Sequence, residues 1–153
     1  MSLRLILLFA SLLISSHLLA QSSDKYLKKM SHERGVLIFV EAQKWKSEKH
    51  DPPKLEADFT VNLMKDTLSW VQCNFTLWGK QPVEDVLILF LRQDQRQWVA
   101  QQQVEQLLLE KEKGQWRSRF STRFSVEDFL AFLEAGGEGS LVVELPEGIR
   151  EYQ

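Results

Sequence analysis

The sequence has very few of the residues that bind metals or carry acid–base chemistry. It contains one cysteine, Cys73, and three histidines, of which only His32 and His50 lie beyond residue 20. A single thiol cannot form an internal disulfide, so the core must be stable without a crosslink. His50 and Asp51 are adjacent, but no second cluster at ligand spacing accompanies them, so a metal site is not expected.

Motifs of nucleophilic catalysis and of cofactor binding are also absent. There is no G-x-S-x-G, no H-E-x-x-H and no glycine-rich phosphate loop. Ser31, His32 and Glu33 are the residue types of a hydrolase triad, but consecutive residues cannot converge on one substrate. Cys73 falls on the apolar side of its segment, where a thiol behaves as a small hydrophobe. The sequence therefore predicts a protein that is not an enzyme and has no cofactor.

The N-terminus resembles an export signal. One cation, Arg4, precedes an apolar stretch from Leu5 to Ile14, and Ala20 ends the segment before polar residues begin. This layout predicts a cleaved signal peptide at 1–20. The apolar run is shorter than the roughly 20 residues that span a bilayer, so a permanent anchor is the weaker alternative, and no stable span is expected after cleavage.

Size and charge describe an ordinary small domain. Removing 20 of the 153 residues leaves 133, which suits one domain and not two. Losing Arg4 lowers the 19 basic residues to 18 against 21 acidic ones, a net charge of −3. Such a balance does not favour nucleic acid or anionic lipid. We expect a flexible polar lead-in at 21–34 and a single β-rich domain at 35–153.

Hydrophobic residues alternate with polar ones along much of the chain. From Leu55 to Leu63 every second residue is apolar, and the same pattern from Thr67 to Trp78 predicts the return strand of an antiparallel hairpin. Val36–Val40 predicts a well-buried strand, and Val86–Leu91 predicts a central strand covered on both faces.

The C-terminal third predicts a hairpin, a helix and a last strand. Lys113-Gly114 is a two-residue loop that would place Glu110 opposite Arg117 and Leu107 opposite Phe120. Ser125 predicts a helix N-cap, and the buried stripe of that helix should comprise four residues: Val126, Phe129, Leu130 and Leu133. Ser140–Leu145 predicts the last strand.

About eight strands and one helix follow from these segments. The sequence predicts a mainly β fold, an antiparallel β-sandwich with one α-helix near the C-terminus packed on it. A closed or half-open barrel is the alternative.

Two sets of side chains are candidates for binding. Arg117, Arg119 and Arg123 alternate with apolar residues, so their guanidinium groups should share an outer face that can bind anions or simply be balanced by Glu110 and Glu112 on the partner strand. Trp70 and Trp78 fall on the polar side of their strand, where they can stack on sugars or contact a protein. The alternative is that a helix or loop covers this side and the two rings are part of the core.

Asn74-Phe75-Thr76 fits the N-glycosylation pattern, and alternation places Asn74 outward. It would be an acceptor only in a eukaryotic secretory pathway. Export without disulfides favours the periplasm of a Gram-negative envelope, with secretion as the alternative.

These observations lead to one functional expectation and one alternative. We expect an exported, non-catalytic binding or assembly protein that contacts an envelope or secreted protein partner. The alternative is a carrier or binding module for an apolar or glycan ligand. The sequence does not specify the oligomeric state.

Overall fold

The fold consists of two antiparallel sheets with one helix, as seen in a computed structural model that describes residues 27–47, 53–65, 69–135 and 139–153. Ten strands are present in these ranges, and their bounds are: β1 Leu27–His32, β2 Gly35–Trp45, β3 Lys54–Met64, β4 Trp70–Gly79, β5 Ile88–Gln93, β6 Arg96–Val99, β7 Glu105–Glu112, β8 Gln115–Ser125, β9 Ser140–Leu145 and β10 Gly148–Tyr152. The helix, α1, spans Val126–Glu134. The predicted signal peptide 1–20 and the His50-Asp51 pair lie outside the described residues.

The larger sheet has six strands in the order β1-β2-β3-β4-β8-β7, and the smaller has four in the order β10-β9-β5-β6. Each described sheet has two edge strands, so the strands do not close into a barrel. The expectation of a mainly β, two-layered fold is confirmed, with ten described strands instead of about eight. No helix in the described ranges is long and apolar enough to cross a bilayer.

The core lies between the two sheets and follows the predicted alternation. From the larger sheet, Leu55, Ala57, Phe75 and Phe120 are almost completely buried, and Leu89 and Leu141 are among the residues that the smaller sheet contributes. Alternation puts these side chains on one face of each strand. When the apolar faces of the two sheets pack against each other, all of these side chains are removed from water.

Strand β2 is less buried than expected. Its residues from Val36 to Val40 are only half-buried, although Ile38 and Val40 pack against the core. The smaller sheet has four strands against six in the larger one, and two backbone hydrogen bonds of 2.6 Å between Lys46 and Gln153 attach it near the end of β2.

Part of the predicted lead-in 21–34 is a strand. Residues 27–32 form β1, which pairs with β2 in register from Leu27 opposite Val40 to His32 opposite Gly35. Lys28 Nζ lies 2.8 Å from a carboxylate oxygen of Glu41 across this pair. An edge strand tolerates charged residues because one of its sides is open to water. The polar sequence of β1 therefore suits an edge strand as well as a linker, and the sequence did not predict this strand.

Strand β5 is covered less completely than its apolar sequence predicts. Leu89, Phe90 and Leu91 are buried, whereas Leu87, which precedes the strand, and Ile88, its first residue, are exposed. A further strand, β10, follows Pro146 and pairs with β9, so the predicted last strand is not the last.

The hairpin of β7 and β8 confirms the predicted turn. Lys113 and Gly114 both have positive φ, 48° and 82°, as a two-residue turn of this kind requires. Glu110 is opposite Arg117, as predicted. The prediction for Leu107 is wrong: Gln106 pairs with Phe120, since a bulge between Gln106 and Leu108 shifts the register by one residue.

Helix α1 starts where the sequence predicts. Ser125 Oγ accepts a hydrogen bond of 2.9 Å from the backbone N–H of Asp128. Val126 and Phe129 are buried as expected, and Phe129 packs its ring 5.3 Å from that of Phe59. The prediction for Leu133 is wrong, because 46% of its surface is exposed.

Replacing Ser125 with alanine should lower the free energy of unfolding by about 1 kcal/mol, because the N–H group of Asp128 loses its acceptor. Ser125→Asp restores an oxygen at the cap and should recover most of this loss. Urea unfolding of the two variants measures the difference. Equal losses would mean that the cap does not stabilise α1.

Candidate functional site

The outward side of the larger sheet, called here the polar face, carries both predicted binding sets. It is formed by the outward side chains of three neighbouring strands: Glu56, Asp58, Thr60 and Asn62 from β3; Trp70, Gln72, Asn74, Thr76 and Trp78 from β4; and Arg117, Arg119, Ser121 and Arg123 from β8. Strand β4 lies between β3 and β8, so its tryptophans stand beside the arginine row.

Two tryptophan–arginine stacks mark the ends of the polar face. Arg117 is directly opposite Trp78, and its guanidinium carbon lies 5.5 Å from the ring centroid. Arg123 lies diagonally across from Trp70, at 4.6 Å. The ring faces attract the cations, and each stack holds an arginine in a defined position. Both tryptophans are half-buried in the described structure.

An ion pair joins the strands at the centre of the polar face. Arg119 donates to Asp58 Oδ2 over 2.7 Å and to Thr76 Oγ1 over 3.1 Å. The other carboxylate oxygen of Asp58 accepts from Asn74 Nδ2, also over 2.7 Å. Each partner is about one quarter exposed, so water screens the pair, and we attribute to it mainly the positioning of Arg119.

The network continues towards Trp70 through uncharged groups. Asn74 Oδ1 accepts from Ser121 Oγ over 2.8 Å, and Ser121 Oγ in turn accepts from the amide of Gln72. Gln72 Oε1 accepts from Arg123 Nε over 3.0 Å. The side chains between the two stacks are therefore held by one another before any ligand binds.

The three arginines differ in their acid partners. Arg117 pairs with Glu110 at 3.0 Å, and Arg119 pairs with Asp58 at 2.7 Å. Within the described residues Arg123 has no carboxylate within salt-bridge distance, and only its Nε donates a hydrogen bond. Its guanidinium group stacks on the Trp70 ring and donates to the Gln72 amide, and Glu127 lines the same cleft without forming an ion pair with it. The prediction that the row is neutralised by the partner strand therefore describes Arg117 and not Arg123.

A cleft of about 250 Å³ lies beside the Trp70 stack. It is lined by side chains from the start of β4, the end of β8, the first turn of α1 and the segment after β6: Ser69, Trp70, Gln101, Gln102, Arg123, Phe124, Ser125 and Glu127. No pattern in the sequence connects Gln101 or Gln102 with Trp70, so this neighbourhood was not predicted.

Cys73 is on the opposite, buried side of β4. Its side chain is completely buried, and burial is the main reason that its pKa lies above the usual value, with Asp58 adding to the effect. The protonated thiol is a poor nucleophile. Among the described residues, no three or more histidine, cysteine, aspartate or glutamate side chains are grouped to hold a metal ion.

Asn74 points outward, as predicted, but its amide is bonded to Asp58 and Ser121. A glycan attached there would stand in the middle of the polar face. The polar face and an N-glycan are thus alternative uses of the same surface.

Comparison of the chain with protein-family models, with curated proteins and with solved structures finds no match. No relative supplies a function, so the arrangement of the polar face is what bears on function.

Proposed function

We propose that this protein is an exported, non-catalytic binding or assembly protein of the cell envelope, which contacts a partner protein through its polar face. The observation that carries this proposal is the pair of tryptophan–arginine stacks at the two ends of the polar face, with a hydrogen-bond network from Arg119 to Arg123 between them. Tryptophan and arginine are the side chains most enriched among the residues that dominate binding energy at protein interfaces.

The dimensions of the polar face suit such a contact. Trp70 and Trp78 are at opposite ends of β4, which at about 3.4 Å per residue separates them by roughly 27 Å. Three strands about 4.8 Å apart give a width of roughly 14 Å, so the polar face covers roughly 400 Å², about half of the roughly 800 Å² that a standard interface buries on each partner, and would form the centre of such a contact.

Pre-organisation also supports the proposal. Arg119 and Gln72 each make two hydrogen bonds within the network. Side chains that are already held in place lose less conformational entropy when a partner binds. A partner surface with apolar groups and carboxylates would complement the rings and the guanidinium groups.

The cellular location is proposed from the N-terminal pattern. A leader such as 1–20 directs export, and a domain with one cysteine needs no oxidative folding. We therefore place the protein in the periplasm of a Gram-negative envelope, with secretion as the alternative.

A carrier for an apolar ligand is less well supported than a contact protein. The inward side chains of the two sheets, such as Phe75, Leu89 and Leu141, pack into one core. A glycan-binding module has one supporting observation, which is the cleft beside Trp70.

Photo-crosslinking in cells tests the contact directly. A crosslinking residue at position 54, the exposed neighbour of Trp78 on β3, should give a defined adduct with another protein. The same residue at position 149, exposed on the smaller sheet, is the matched control and should not. Equal adducts at both positions, or none at position 54, would contradict the proposal.

Replacing Trp78 with alanine should weaken the crosslink at position 54 by about 30-fold, the loss typical of an interface hot spot. Trp116→Ala removes an equally large ring from the opposite side of β8 and should leave the crosslink unchanged. Thermal unfolding of both variants shows whether either change acts through stability. Equal weakening by the two variants, at equal stability, would remove Trp78 from the interface.

A further inference from the structure

Hydrogen bonds attach the walls of the cleft beside Trp70 to the larger sheet. The backbone N–H of Gln101 donates to the carbonyl of Arg123 over 2.7 Å, and Thr122 Oγ1 donates to the carbonyl of Gln102 over 2.7 Å. On the other side, Ser69 Oγ accepts from the backbone N–H of Met64 over 3.1 Å. The segment after β6 is therefore attached to the end of β8, and the cleft exists without a ligand.

The side chains that line this cleft combine one cation with several neutral polar groups. Arg123 contributes a guanidinium group that has no acid partner among the described residues. Gln101 and Gln102 are exposed and offer amide donors and acceptors, while Glu127 offers acceptors only. Trp70 contributes an aromatic surface at the cleft wall.

This composition selects among ligand classes. An apolar ligand would bury the guanidinium group and the amides without hydrogen-bond partners, which is unfavourable. A hydroxyl group both donates and accepts, so several hydroxyls on a small ring match amides and a carboxylate together. An unpaired guanidinium group matches a carboxylate, which it can bind through two parallel hydrogen bonds.

We propose that the cleft binds a single acidic sugar unit of the uronic acid class. Its carboxylate pairs with the Arg123 guanidinium group that is stacked on Trp70, and its hydroxyls bond to the amides of Gln101 and Gln102 and to Glu127. The volume of about 250 Å³ is below the usual range of drug-sized sites, roughly 300–1,000 Å³, and suits one sugar ring. The inference extends the glycan-binding alternative and does not depend on the protein contact.

Fluorescence titration of the chain, expressed at full length, tests this proposal, since Trp70 lines the cleft. D-glucuronate is the probe, and methyl glucoside and acetate are the comparison ligands. Glucuronate should change the emission at the lowest concentration, because only glucuronate supplies both the carboxylate and the hydroxyls. Equal responses to all three ligands, or no response to glucuronate, would overturn the proposal.

Arg123→Gln should weaken glucuronate binding by about tenfold or more, because an ionic hydrogen bond is lost. It should also abolish the preference for glucuronate over methyl glucoside. Arg92→Gln is the matched control, because Arg92 stacks on Phe90 of the other sheet, and it should leave the affinity unchanged.

A second variant keeps the proposal falsifiable if Arg123→Gln unfolds the sheet. Gln101→Ala removes only an exposed side chain beyond β6, and it should weaken glucuronate binding without changing the melting temperature. Unchanged affinity in Gln101→Ala and Arg123→Gln would overturn the proposed cleft. Glucuronate affinity is measured at the Trp70 end of the polar face and the crosslink at position 54 at the Trp78 end, in separate experiments, so the failure of one proposal is distinguishable from the failure of the other.

Discussion

Replacing Phe75 with alanine should lower the free energy of unfolding by about 3–5 kcal/mol. Phe75 is completely buried in β4, and its ring stacks on Phe120 with centroids 5.4 Å apart. The substitution removes the buried ring and leaves a cavity between two sheets that cannot close completely around it. Domains of this size have a total stability of roughly 5–15 kcal/mol, so the variant would be close to unfolding.

Urea unfolding measures this loss. The slope of the unfolding free energy against urea concentration should be the same in the variant and the wild type, which shows that their unfolded states are comparable. Leu133→Ala is the control on an exposed position of α1 and should change stability by no more than about 0.5 kcal/mol. Phe75→Leu keeps more of the volume and should lose clearly less than Phe75→Ala. Similar losses in Phe75→Ala and Leu133→Ala would contradict a core centred between the sheets.

Alkaline pH should destabilise the protein from about pH 9 upward. Burial raises the pKa of the Cys73 thiol above its usual value of about 9, and it raises the pKa of Tyr152 from 10 to about 12. Above pH 9 the unfolded chain releases the Cys73 proton while the folded chain keeps it, so unfolding becomes more favourable as the pH rises. Each group contributes a loss of about 1.4 kcal/mol per pH unit within its own window.

Urea unfolding between pH 7 and pH 11 tests the alkaline effect. Below pH 9 these two groups should leave the stability nearly constant. Between pH 9 and pH 10 the stability should fall because Cys73 ionises in the unfolded chain, and above pH 10 it should fall more steeply because Tyr152 ionises there as well. Cys73→Ala should remove the first part of the fall and Tyr152→Phe the second. If Cys73→Ala keeps the full decline from pH 9 to pH 10, the thiol is not the cause.

Much of the larger sheet could be predicted because its signals are local. Leu55, Ala57 and Phe59 alternate with polar residues within one segment, and the Lys113-Gly114 turn sets the β7–β8 pairing to within one residue. The bulge at Leu107 was not predictable, since no turn or pattern marks the extra residue. Strand β1 was missed because its polar residues suit an edge as well as a linker.

The candidate site could be predicted only in pieces. The sequence places Trp70 and Trp78 on one side of a strand and the arginines on one side of another, as two unrelated sets. The structure brings them together because β4 pairs with β8, so that Arg117 faces Trp78. Asp58, which pairs with Arg119, carried no signal of its own, because a polar residue in an alternating strand predicts only solvent contact.

Alternation, turn residues and the helix cap determined by themselves that β3, β4 and β8 are extended, which side chains of these strands share a face, and that Cys73 turns inward. Only the tertiary structure decided the strand order, the joining of the tryptophans with the arginines into one polar face, and the cleft at Trp70. The physical reason is that side-chain alternation is a property of the single strand, whereas the choice of its neighbour depends on contacts between segments far apart in the chain.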